Sequence, residues 1–207
     1  MTPANFYEIQ NYAIKKLTEG LSEKLTYHHV KHTQDVLEQC QIIADLEAVI
    51  AEEAIFLLKV SALYHDMGFL STYNGHEERS CEIADSDLTQ FEFSFSQKKL
   101  VFELIKATKV PQNPQTKLAQ IICDADLDYL GRSDFYIIGE GLYQEFLWQG
   151  IVKNELDWNR IQVKFLENHR YFTPSSKERR EKQKQEYLRE VKIKVAQLEQ
   201  QLLKLPV

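Results

Sequence analysis

The stretch AIFLLKVSALYHDMG, residues 54–68, decides how this chain is read. Apolar side chains dominate it from Ala54 to Tyr64, and the run ends on two ionisable residues, His65 and Asp66. Glu52 to Tyr64, rich in Ala, Leu, Ile and Val, reads as a mostly buried helix that Gly68 ends or bends. A His and an Asp at the end of such a helix are costly to bury unless something pairs them. A divalent cation would pair both.

Two other segments carry the same contradiction between polar side chains and apolar surroundings. His28 and His32 are four residues apart, and on one helix from His28 to Leu46 they would project from the same face. In Ile121-Ile122-Cys123-Asp124-Ala125-Asp126-Leu127 carboxylates are embedded in an apolar helix, where desolvation demands a partner. Together these segments offer imidazoles and carboxylates without thiolate. That donor set suits Mn²⁺, Fe²⁺, Mg²⁺, Co²⁺ or Ni²⁺ in an octahedral arrangement completed by water, and Zn²⁺ less naturally. Water bound to such an ion has a depressed pKa and can attack phosphorus, while the cation offsets charge on phosphate oxygens.

The rest of the chain is helical in pattern. Seven glycines and five prolines in 207 residues leave little turn chemistry for many short strands. Phe6, Ile9, Tyr12, Ala13 and Leu17 form one apolar stripe, with Gly20 as its stop. Asn74 with Glu77 resembles a capping box. Helices are expected over 95–108, 117–130, 134–149 and 157–169. Thr173-Pro174 opens a last, long helix whose Leu188, Val191, Val195, Leu198 and Leu202 step by three and four. That stripe is expected to pack on the body of the domain.

The formal charge of −6 gives no overall basic character for nucleic-acid binding. Lys177, Arg179, Arg180, Lys182 and Lys184, interleaved with acids, read as a solvated helix face. Cys40, Cys81 and Cys123 are isolated, as buried side chains in a reducing cytoplasm would be. No signal peptide is expected in the first residues, and no apolar run suffices for a bilayer. The expectation is therefore a cytoplasmic protein with no nucleic-acid or membrane partner; a homodimer stays open.

Tyr27-His28-His29-Val30-Lys31-His32-Thr33, His65-Asp66-Met67-Gly68 and Asp124-Ala125-Asp126-Leu127 resemble, in order and spacing, the motifs of the HD superfamily of helical metal-dependent phosphohydrolases. The resemblance spans about residues 25–135. Asn74-Gly75-His76-Glu77-Glu78-Arg79-Ser80, Asp126 to Gly131 and His169-Arg170-Tyr171-Phe172-Thr173 are similar to a small bacterial subgroup with a HEERS-type motif. The resemblance implies an all-α bundle with a long C-terminal helix, a single domain over 1–207 with helices of 155–204 packed on the motif core. It implies His32, His65, Asp66 and Asp126 as metal ligands, with Asp66 also serving catalysis and His28 as general acid. His29 stands where phosphodiesterases of the superfamily keep asparagine. Met67 to Thr72 lacks the acidic pair of alarmone hydrolases, which argues against that activity.

His76, Glu77, Arg79, Lys109, Asp128 and Arg132 lie on or near these motifs and are candidates for supporting the ligands or touching substrate. Asp124, Asp126 and Asp128 do not start a calcium loop, because Tyr129 replaces the required glycine and Phe135 the final glutamate. The implied reaction is hydrolysis of a nucleotide-like phosphoester or phosphoanhydride by a metal-activated water. The alternative is a regulatory module that binds metal or nucleotide without turnover. Specificity is expected in the loops 69–74 and 110–115.

Overall fold

The computed structural model describes residues 3–203; the remaining ends of the expected domain, 1–2 and 204–207, lie outside it. Among the described residues there are nine α-helices and no strand: α1 (Pro3–Gly20), α2 (Val30–Leu46), α3 (Glu52–Tyr64), α4 (His76–Gln90), α5 (Phe95–Ala107), α6 (Lys117–Asp126), α7 (Phe135–Trp148), α8 (Glu155–Asn168) and α9 (Pro174–Leu203). Short 3₁₀ turns follow α3 (Met67–Leu70) and α6 (Asp128–Gly131). None of these helices is long and apolar enough to cross a membrane.

The apolar helix α3 takes the centre. From Leu57 to Tyr64 every residue of α3 except Lys59 is buried, because α1, α2, α5 and α6 pack around it. Leu17, Ile43, Leu58, Leu88, Leu104 and Ile122 belong to this first apolar cluster. A second cluster joins Leu127, Tyr129, Leu130 and Phe135 to Leu166, Tyr171, Tyr187 and Leu188, and so fastens the C-terminal helices to the end of α6. The three cysteines are free and buried.

Two polar joints set the positions of the motif segments. At the first, Ser80 Oγ of α4 donates to the His65 carbonyl at 2.7 Å and accepts from Gly68 N–H at 2.8 Å. Gly68 is pressed against α4 so closely that a Cβ would lie 2.0 Å from the His76 carbonyl oxygen. Only glycine allows that approach. At the second joint, buried Asp124 accepts from Phe172 N–H, Thr173 N–H and Thr173 Oγ1 at 2.7–2.8 Å. Thr173 Oγ1 also caps α9 by accepting from Ser176 N–H.

Several expectations need correction. α2 begins at Val30, with His29 as its N-cap, so His28 lies outside the helix and shares no helical face with His32. The N-cap of α4 is Gly75 at φ 71°, without a side-chain cap, so Asn74 and Glu77 form no capping box. α6 stops at Asp126 rather than 130, and Tyr171 Oη donates to the freed Leu127 and Asp128 carbonyls at 3.3 and 3.4 Å. The basic segment of α9 is not a solvated face throughout. Arg180 makes two bonds to fully buried Asp128, and Lys184, 1% exposed, donates to the His169 carbonyl at 2.8 Å. Of the apolar stripe on α9, Leu188 and Val191 are buried, whereas Leu202 is 56% exposed.

Asp124→Ala would leave buried donors without acceptors, each worth about 1–3 kcal/mol. The expected loss is on the order of 3 kcal/mol, or about 10 °C in Tm for a chain of this size. Thermal denaturation followed by circular dichroism measures it, and an unchanged Tm would show that this joint contributes nothing.

Candidate metal centre

Three helix ends meet at one point. His65 and Asp66 follow α3, His32 lies in the first turn of α2, and Asp126 is the last residue of α6. His65 Nδ1 donates to the Ala62 carbonyl at 2.9 Å, which sets the tautomer and leaves Nε2 free to act as a donor atom. Ligand atoms of His32, His65 and Asp66 lie within 4.8 Å of one another. Asp126 Oδ1 is 3.2 Å from His32 Nε2 and 3.6 Å from His65 Nε2.

These residues fit a divalent cation on a direct observation. His32 Nε2, His65 Nε2 and Asp66 Oδ2 are all buried, and none has a hydrogen-bond partner. Asp66 Oδ2 lies 3.4 Å from His32 Nε2 and 3.1 Å from His65 Nε2, yet no hydrogen bond joins these atoms. Buried polar atoms are rarely left unpaired. Without a cation, the carboxylates hold protons on the imidazoles. Burial pulls the His32 pKa down, but Asp126 and Asp66 outweigh it and raise it to about 9. For Asp126, burial pushes upward and the two imidazoles pull it down to about 2. Asp66 is likewise held below the ordinary carboxylate range, against its own burial, chiefly by His65.

His28 reaches the site by another route. Buried Glu145 on α7 accepts from His28 Nδ1 and from the backbone N–H groups of Tyr27 and His28, at 3.0 and 3.1 Å for the latter two. Tyr73 Oη donates to the same carboxylate at 2.8 Å. Burial raises the Glu145 pKa, but these donors, His28 first, lower it overall, so the carboxylate is ionised. The Phe69 ring is held between the His28 and His76 rings, 4.1 Å from each.

The other candidates divide by position. His76 Nε2 is 3.6 Å from Asp66 Oδ1 and from Glu77 Oε1, so both residues adjoin the donor cluster. Lys109 faces the same opening but is bonded to Glu78 at 2.6 Å. Arg79 is bonded to Ser71 and Glu82 on the surface. Arg132 is engaged by Asp35 and Asp134, and Asp128 by Arg180, both in joints between helices. Arg79, Arg132 and Asp128 therefore do not line the cavity beside the cluster, whereas His28, Asp66, His76, Glu77, Lys109 and Asp126 do.

Glu145 escaped the reading of the sequence, and Phe69 and Tyr73 entered it only as members of the loop 69–74. Glu145 had a signal. It is a carboxylate within the apolar segment FYIIGEGLYQEFLW, the same contradiction that marks Asp66 and Asp126.

Residues 29–128 match the family model described as HD domain. No curated protein matches the sequence closely. A crystal structure of a Lactobacillus plantarum protein superposes with a TM-score of 0.66 over 93% of this chain and 97% of that one. At 14% identity the likeness concerns the fold alone. HD domains form a family of metal-dependent phosphohydrolases, and this chain carries a His/Asp cluster suited to a divalent metal. Through residues 29–128, the stretch that holds His32, His65, Asp66 and Asp126, the chain belongs to the HD domain family.

Proposed function

We propose that this protein hydrolyses a phosphate ester of a small organic molecule, a class that includes the nucleotide-like substrates expected from the sequence. The observation that carries this reading is the orphaned trio His32 Nε2, His65 Nε2 and Asp66 Oδ2 at the head of a cavity. His32, His65, Asp66 and Asp126 would hold a divalent cation. When bound, that cation supplies an activated water and offsets charge on phosphate oxygens.

The chain's own residues have distinct tasks. Glu145 takes the Nδ1 proton of His28 as a hydrogen bond, so Nε2 is the atom left to exchange a proton with a substrate oxygen. Phe69 stacks on the His28 ring and limits its rotation. Tyr73, by bonding Glu145, ties the loop after the 3₁₀ turn to α7 across the cavity mouth. His28 is thus the general acid toward the leaving oxygen, and Glu145 is its positioning residue.

Phosphate release with Mn²⁺ present tests the reading. His28→Ala should lower kcat by about 10²- to 10⁴-fold with metal content intact. Asp66→Ala should lose both activity and metal. Glu145→Gln should lower kcat by about 10- to 100-fold without stripping metal. If His28→Ala loses metal as fully as Asp66→Ala, His28 is a ligand and the division of roles fails. If Asp66→Ala leaves phosphate release unchanged, the reaction does not occur at this site.

Metal uptake has its own pH signature. Because the carboxylates hold the His32 pKa at about 9, a cation binding at pH 6–8 must displace a proton. Mn²⁺ affinity should rise at least about tenfold per pH unit over that range. Calorimetry in buffers of different ionisation enthalpy counts the released protons; a flat affinity profile would contradict the assignment.

A further inference from the structure

The donor cluster opens into a cavity of about 360 Å³ whose opposite wall is made by α7 and α8. Leu142 and Phe146 face it from α7, and Trp158, Ile161, Gln162 and Phe165 from α8. Among all the lining residues of these two helices, only Trp158 and Gln162 carry a polar side-chain atom. α7 is apolar along nearly its whole length, yet only Phe135, Gly139 and Glu145 of it are buried. Partly buried Leu142 and Phe146 thus leave apolar surface open to the cavity. The hydrophobic effect favours filling that space with an apolar group.

The charges point the same way. Lys109 is the sole lysine or arginine in the lining, and Glu78 already neutralises it. His28 and His76 are the other basic side chains of the lining, and Glu77 faces the same space with the opposite sign. A divalent cation and His28 suffice for a single phosphate group, whereas a nucleoside polyphosphate would bring further negative charges for which the described lining residues hold no free lysine or arginine. On that wall only the Trp158 indole N–H and the Gln162 amide could meet the hydrogen-bonding edge of a nucleobase, and the remaining surface would desolvate it without return.

Resting on the hydrolase reading above, we propose that the substrate is a phosphate monoester of an apolar alcohol, aliphatic or aromatic. At about 30 Å³ per small non-hydrogen group, the cavity holds roughly a dozen such atoms. In the reaction, water oxygen bonds to phosphorus and the P–O bond to the alcohol breaks with its electron pair on the alcohol oxygen. That oxygen takes the proton from His28 Nε2, and the products are the free alcohol and inorganic phosphate. The α7–α8 wall selects the alcohol and the metal end holds the phosphate.

The test uses the full chain with Mn²⁺ and butyl, hexyl, octyl and decyl phosphate below their micelle concentrations, beside AMP, ATP and p-nitrophenyl phosphate. Binding of the matching alkyl phosphonates, which are not hydrolysed, is followed by calorimetry. The expected result is a gain in kcat/KM of about fourfold per added methylene until the cavity is full, with octyl or decyl phosphate above AMP and ATP. Ile161→Glu should flatten the series while the metal content of the protein stays unchanged. Hydrolysis that ignores chain length, or that prefers AMP or ATP, overturns this inference and leaves the hydrolase reading standing. No hydrolysis, together with phosphonate affinity that grows with chain length, overturns the hydrolase reading and leaves the apolar ligand. Failure of both measurements removes both.

Discussion

Everything in this molecule that bears on function follows from burying imidazoles and carboxylates at the meeting point of three helices. His65 is 1% exposed and Asp66 7%, at the end of the apolar central helix α3. Groups of this kind need compensation several kcal/mol in size. They find it in one another only in part, since His32 Nε2, His65 Nε2 and Asp66 Oδ2 lie close together without hydrogen-bond partners. A divalent cation would resolve the frustration; protons held on the imidazoles by the carboxylates do so in part.

The surrounding structure keeps those groups from relaxing apart. Ser80 bridges His65 to Gly68 and thereby locks α4 against the end of α3. Asp124, two residues before Asp126, grips the start of α9 through three donors. Arg180 then reaches back from α9 to Asp128. The C-terminal helices are thus anchored to the motif by ion pairs and hydrogen bonds as well as by the second apolar cluster. The HEERS-type serine and the His169 to Thr173 segment act here as joints.

The helices beyond the HD match complete the site. Glu145 comes from α7, outside residues 29–128, and fixes the His28 ring that the motif alone leaves without support. The cavity wall likewise belongs to α7 and α8. One part of the chain presents the His/Asp cluster, and a separate part presents the surface against which the body of a proposed substrate would rest. Chemistry and selectivity can then vary independently.

The sequence by itself determined the helical class and pointed to the His and Asp residues that the structure brings together in one cluster. Both are local facts: apolar periodicity near 3.6 marks a helix, and a charged residue in an apolar run marks a desolvation problem wherever the chain goes. Ala54 to Asp66 and Ile121 to Asp126 could be read this way because each segment contains its own contradiction. The tertiary structure alone decided how those groups are compensated. His28 proved to lie ahead of its helix and to owe its orientation to Glu145, 117 residues away. Arg132, Arg180 and Asp128, which a linear reading offers to phosphate or solvent, are consumed by one another. The apolar wall across from the donors has no sequence signature either, because Leu142 and Ile161 look like ordinary core residues. Which partner a charge finds, and whether an apolar face meets protein or a cavity, depends on distances in space that residue spacing along the chain does not encode.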